Sequence, residues 1–161
     1  MSKPDSQRIT AIHRVTLFRK WIGTGGSINW IMLNPSTADD VFDDPTIRKC
    51  IGFSKLWGFS SLVVTNLFSF RATDPADLRA MVRVDYANAV GDNDGHLIEQ
   101  ATAANLVVAA WGTHGNLAGR ADDVMNRVLP EVDLYCIGLT KDGFPTHPCM
   151  AKYTNAPARY R

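Results

Sequence analysis

The sequence predicts an α/β fold: a three-layer α/β/α sandwich around a four-stranded, mainly parallel sheet, with a β-hairpin added at the N-terminus. Three observations predict it. Four short apolar runs recur along the chain, each nearly continuous rather than alternating, as strands covered on both faces are. Segments of helical periodicity lie between them. A polar cluster follows each run. Strands that alternate with helices favour a parallel sheet with right-handed crossovers.

The elements follow in order. Residues 1–8 are polar and expected to fray. Ile9 to Lys20 carries alternating and β-branched residues, and Gly23-Thr24-Gly25-Gly26 makes a turn, so a hairpin into Ser27–Leu33 is expected. Ile28 to Leu33 is the first core strand and stops at Asn34-Pro35, because proline cannot continue a ladder. Thr46–Trp57 places Ile47, Cys50, Ile51, Ser54 and Lys55 at helical spacing, with Gly58 as a stop. Ser61–Thr65 is the second core strand. Asp74-Pro75 begins a helical turn or loop that runs to about Val90. Asp92–Ala104 is the next helix, Leu106–Ala110 the third strand, Ala118–Leu129 a helix closed by Pro130, and Leu134–Ile137 the fourth strand.

Length and composition bound the rest. The 161 residues suit one domain, and 45% hydrophobic content is enough for a proper core. The formal net charge of +1 supplies no strong field toward DNA or membrane, though a local basic patch remains open. The three cysteines, Cys50, Cys136 and Cys149, form neither a disulfide framework nor a CxxC pair. No apolar run reaches a membrane span and no signal-peptide pattern opens the chain, so a cytoplasmic monomer without a cofactor is expected.

The four polar clusters are Asn34-Pro35-Ser36-Thr37-Ala38-Asp39-Asp40, Asn66 to Arg71, Trp111-Gly112-Thr113-His114-Gly115, and Gly138 to Pro148. Ligands of open parallel sheets bind outside the carboxyl ends of the strands. One concave site built from these loops is therefore expected; the plainer alternative is that such residues only form turns.

Two resemblances rest on these residues. Ile31-Met32-Leu33-Asn34-Pro35-Ser36-Thr37-Ala38-Asp39, Asp43-Asp44-Pro45-Thr46-Ile47-Arg48, Val64-Thr65-Asn66-Leu67-Phe68, Ala110-Trp111-Gly112 and His147-Pro148 resemble a bacterial and phage family, domain-of-unknown-function family 1643, over nearly the whole chain. More distantly, Asn34-Pro35-Ser36 after the first strand, Asn66 after the second and His147-Pro148-Cys149 after the last resemble the motifs of the uracil-DNA glycosylase superfamily. That resemblance implies a parallel four-stranded sheet flanked by helices, and hydrolysis of an N-glycosidic bond. Leu33 and Ser36 stand where small or glycine residues are usual, and Cys149 stands where a serine is. The four-cysteine iron–sulfur site of some branches has no counterpart among three cysteines.

The chemistry assigns roles. Base hydrolysis needs an extruded base, a placed water and stabilisation of the departing base. Asn34 can orient the water through its amide oxygen, and His147 can donate a hydrogen bond to a keto oxygen where charge develops. Asn66 can address a base edge with a donor and an acceptor. Ser36, Phe42, Phe68, Trp111 and Gly112 complete the expected base site, with Phe42 or Phe68 stacking on the base. Arg48, Arg71 and Lys141 are the expected phosphate contacts; Lys152, Arg159 and Arg161 are further candidates. His13 and His114 are weaker candidates than His147, and His96 belongs to a surface helix. Asp39, Asp40, Asp43 and Asp44 would suit a Mg²⁺ site, or caps for the helix that follows, with Asp44 or Thr46 at the cap. A glycosylase-like hydrolase acting on nucleic acid or a nucleotide is the leading expectation. A metal-dependent nuclease or nucleotide hydrolase using Asp39–Asp44, and a non-catalytic module for a modified base, are the alternatives.

Overall fold

A computed structural model describes residues 16–36 and 43–161. Its backbone is a six-stranded mixed sheet with helices on both faces. The strands are β1 Leu17–Lys20, β2 Ser27–Met32, β3 Ser61–Asn66, β4 Leu106–Ala109, β5 Tyr135–Cys136 and β6 Ala158–Arg159, in the spatial order β1-β3-β2-β4-β5-β6. The central β3, β2, β4 and β5 are mutually parallel and correspond to the four apolar runs; β1 and β6 flank them antiparallel.

Alternation across the pleat divides the core in two. Ile28, Trp30 and Met32 of β2, Leu62 and Val64 of β3, and Val108 of β4 face α1 (Pro45–Leu56) through Ile47, Cys50 and Phe53. Ile31, Val107 and Ala109 face the opposite layer, made of α2 (Pro75–Val84), α3 (Tyr86–Val90), α4 (Asn93–Ala103) and α5 (Arg120–Asp123). Helix α1 starts where Asp44-Pro45 requires: Oδ1 of Asp44 accepts the Ile47 N–H at 2.8 Å and Pro45 fills the first turn, where no amide hydrogen is needed. Gly58, with φ of +85°, turns the chain out of the helix toward β3. Trp30 and Trp57 stack at 5.7 Å, and the Trp30 indole donates to Ser54 Oγ at 3.0 Å, which sets α1 on the sheet.

Three expectations change. The expected N-terminal hairpin is not formed by the described residues, and residues 9–15 of its first strand lie outside them. β1 pairs with β3, from Leu17 opposite Val64 to Lys20 opposite Ser61, and β3 lies between β1 and β2. The reason is local. β3 is buried at every residue and uses both of its edges. The glycine turn wraps the entry to β3 rather than closing on β2: Gly26 O accepts the N–H groups of Ser60 and Ser61 at 3.0 and 3.2 Å. A Cβ on Gly25 would fall 1.5 Å from the Gly58 carbonyl oxygen, so only glycine permits this backbone approach. The helix expected over 118–129 is broken into a 3₁₀ turn (Leu117–Gly119), α5, and a π turn (Val124–Val128), with Ala118 and Gly119 at φ +52° and +69°. β5 is shorter than its apolar run, and β6 carries no apolar pattern to announce it. Among the described residues, no helix is long and apolar enough to cross a membrane.

Candidate functional site

The loops leaving β2, β3, β4 and β5 enclose a half-open cavity of about 960 Å³ at the carboxyl ends of the parallel strands. Asn34, Pro35, Ser36, Asn66, Trp111, Gly112 and His147 all line it, so the residues singled out after four separate strands do converge.

Asn34 is held by its own loop and by the one after β3. Its Nδ2 donates to the carbonyls of Pro35, Phe70 and Ala72 at 3.2, 3.2 and 2.9 Å. Three carbonyl partners identify that atom as the nitrogen and leave Oδ1 as the open end of the amide. The two loops are also stitched backbone to backbone: Leu67 N–H to Met32 O, Phe68 N–H to Leu33 O and Ala72 N–H to Pro35 O, all near 2.9–3.0 Å.

Asn66 is 3% exposed and lines the cavity, yet its side-chain amide has no hydrogen-bond partner among the described residues. Its main chain, by contrast, is firmly held. Asn93 Nδ2 donates to Asn66 O, and the buried Arg120 donates from Nε to Leu67 O at 2.8 Å. Arg120 also pairs with Asp94 at 2.7 Å and Asp123 at 3.2 Å, and Arg127 braces both carboxylates. Neither Asn93 nor Arg120 was singled out from sequence. Each sits in a helix, and only the folded chain shows that they reach the exit of β3.

His147 caps the short 3₁₀ turn Pro148–Met150: its Nδ1 accepts the Cys149 N–H at 3.2 Å. An accepting Nδ1 places the proton on Nε2 in the neutral ring. Burial lowers the His147 pKa from its ordinary value, outweighing the opposite pull of Asp44, so the neutral imidazole is favoured. The arm from Gly138 to Thr146 delivers it, closed by a bridge between Leu139 and Pro145 and by Thr146 N–H to Gly138 O at 2.9 Å. Gly112, at φ +74°, donates its N–H to Pro145 O at 3.0 Å and faces the His147 Cβ, so the loops after β4 and β5 lock together.

Trp111 forms a wall, packed edge-on to Tyr160 at 6.1 Å, and its buried Nε1 has no partner among the described residues. Asp44 also lines the cavity. It has no ion-pair partner among the described residues, and among those that line the cavity no lysine or arginine occurs. Asp44, Thr113 and Thr146 enlarge the expected set: in sequence Asp44 suits only a cap or a metal ligand, and the threonines carry no motif.

Other expected site residues lie elsewhere. Phe68 is fully buried in the core beneath α3, edge-on to Tyr86 at 6.3 Å, and does not line the cavity; that corrects its expected stacking role. The exposed Arg48 donates to Asp43 O at 2.7 Å on the outside of α1. Arg71 lines a shallower neighbouring groove, and Lys141 is exposed at the tip of the Gly138–Thr146 arm. None of these three cations lines the cavity. Phe42, Asp39, Asp40 and His13 lie outside the described residues. Asp43 pairs with Arg19 at 2.8 Å.

A family model described as "Protein of unknown function (DUF1643)" matches residues 14–149. Comparison with curated proteins and with solved structures found no match.

Proposed function

The chain belongs to the family of proteins of unknown function DUF1643, and from the cavity that this chain builds we propose a nucleobase-binding site that hydrolyses the N-glycosidic bond of its substrate. The observation that carries the proposal is Asn66. Its side-chain amide has no protein partner among the described residues and opens into the cavity, where a planar ligand edge offering one donor and one acceptor would pair with it.

The remaining roles follow from the same geometry. Asn34 Oδ1, the open end of a fixed amide, orients a water; an amide is too weak a base to deprotonate it. His147 Nε2–H donates to a keto oxygen of the base. Trp111 walls the base, and Gly112 lets it approach the backbone. The uracil-DNA-glycosylase-like reading of the architecture is supported by the four central parallel strands and by the position of Asn34, Asn66 and His147 at their carboxyl ends. The commitments of Asp43 to Arg19 and of Asp44 to the α1 cap weigh against the metal-dependent nuclease reading.

The test is a panel of oligonucleotides carrying modified bases, incubated with the protein in EDTA and developed with alkali. Cleavage at one base is expected. His147→Ala should slow it by about 100- to 1,000-fold, the usual cost of one lost donor to a developing charge, and Asn34→Ala should abolish it. Saturable binding without cleavage would leave a binding module only.

A further inference from the structure

We propose that the cavity selects a base whose ring carries a positive charge, of the kind made by alkylation of a ring nitrogen. This deepens the nucleobase reading and rests on it. The argument begins with charge. Asp44 is half-buried in the cavity wall with no ion-pair partner among the described residues. One of its oxygens accepts the Ile47 N–H, and the other carries no hydrogen bond. Its charge is felt across the cavity at His147. The described lining residues include no lysine or arginine, and the candidate cations Arg48, Arg71 and Lys141 lie outside. The described wall therefore holds one carboxylate and no fixed cation. A phosphate group would be repelled there, whereas a cationic base would be held.

The catalytic groups agree with that choice. Asn34 is no base, and neutral His147 supplies one hydrogen bond but no full proton, so a base that departs without negative charge suits the site best. A cationic base leaves in that way. Water adds to C1′, the C1′–N bond breaks with its electron pair going to the ring nitrogen, and the ring's positive charge is cancelled. The base departs neutral and the proton of the water passes to solvent. No cofactor or second reactant is required.

The test compares two near-isosteric nucleosides that differ in charge at neutral pH: 3-methylcytidine, a cation, and 3-methyluridine, which is neutral. Titration of the full chain should show 3-methylcytidine bound about 5- to 10-fold tighter, as expected for one partly screened charge pair. Asp44→Asn should narrow that ratio to about twofold. Asparagine is as good a helix cap as aspartate, so the variant should fold normally, which its melting temperature checks. The protein should accelerate release of 7-methylguanine from an oligonucleotide over the rate without protein, and by a larger factor than it accelerates guanine release from a matched oligonucleotide. Equal affinity for the two nucleosides, or a preference that Asp44→Asn leaves intact, overturns the charge selection while the nucleobase reading stands. Failure of both nucleosides to bind overturns both.

Discussion

Replacing Arg120 with methionine tests how the exit of β3 is held. Arg120 is 1% exposed, and its guanidinium donates to Leu67 O, Asp94 and Asp123 at 2.8, 2.7 and 3.2 Å. Removing one partner of a buried ion pair typically costs about 3–5 kcal/mol, because the other charge is stranded. Here the stranding is incomplete. Asp94 and Asp123 are 33% and 31% exposed, and Arg127 still reaches them at 2.8 and 2.7 Å. What is lost is mainly the partner of the Leu67 carbonyl, about 1–3 kcal/mol, together with imperfect packing of the new side chain. We expect Arg120→Met to lose about 2–3 kcal/mol in urea titration, and to lower Tm by about 4–12 °C for a chain of this size. Because Leu67 follows Asn66, nucleoside binding should weaken in the same variant. A double substitution with Arg127→Met should lose more than the two single losses together, since both carboxylates are then left without a cation. A loss below about 0.5 kcal/mol, or strict additivity, would refute the account of Arg120 as the anchor of this loop.

Asn66→Leu should leave Tm nearly unchanged, since no described residue partners the amide it removes, while nucleoside binding measured by titration disappears; a clear fall in Tm would mean that the amide is structural. Gly115→Ala places a Cβ 1.9 Å from Trp111 Cδ1, so it should cost about 1–3 kcal/mol and shift the tryptophan emission, and an unchanged spectrum would contradict the packing. Stability should fall with pH in two stages. His147 titrates lower in the folded chain than its ordinary value of about 6.5, so the unfolded chain takes up the proton first and Tm declines as pH drops from there. Burial works against ionisation of Asp94, but hydrogen bonds from Arg127 and Arg120 outweigh it and lower its pKa. Its contribution is therefore complete above the ordinary carboxylate range and is lost as pH falls below about 4. A His147→Gln variant should abolish the first stage in a Tm-against-pH series.

The legible parts of the fold were those governed by neighbours in sequence. Asp44-Pro45 and Gly58 mark α1 to within a residue of its ends, because capping and turning are local acts. The four central strands show as apolar runs, because both of their faces are covered. The cavity was legible for a topological reason: Asn34, Asn66, Trp111 and His147 each follow a parallel strand, and parallel strands end on the same side. What stayed hidden depends on distant partners. Nothing in Leu17–Lys20 says that its ladder belongs to Ser61–Val64 and not to the strand six residues ahead. Phe68 and Trp111 are both aromatic residues just past a strand, yet one packs under α3 and the other walls the cavity. Arg120 has the look of a surface residue until Leu67, Asp94 and Asp123 are brought around it.

The interposition of β3 has a consequence for biosynthesis. The first two strands share no ladder, so neither can be completed until residues 61–66 have left the ribosome and slid between them. The nascent chain must carry Ile28, Trp30 and Ile31 without their eventual neighbours throughout that interval. Such nonlocal assembly slows folding and prolongs exposure of sticky segments.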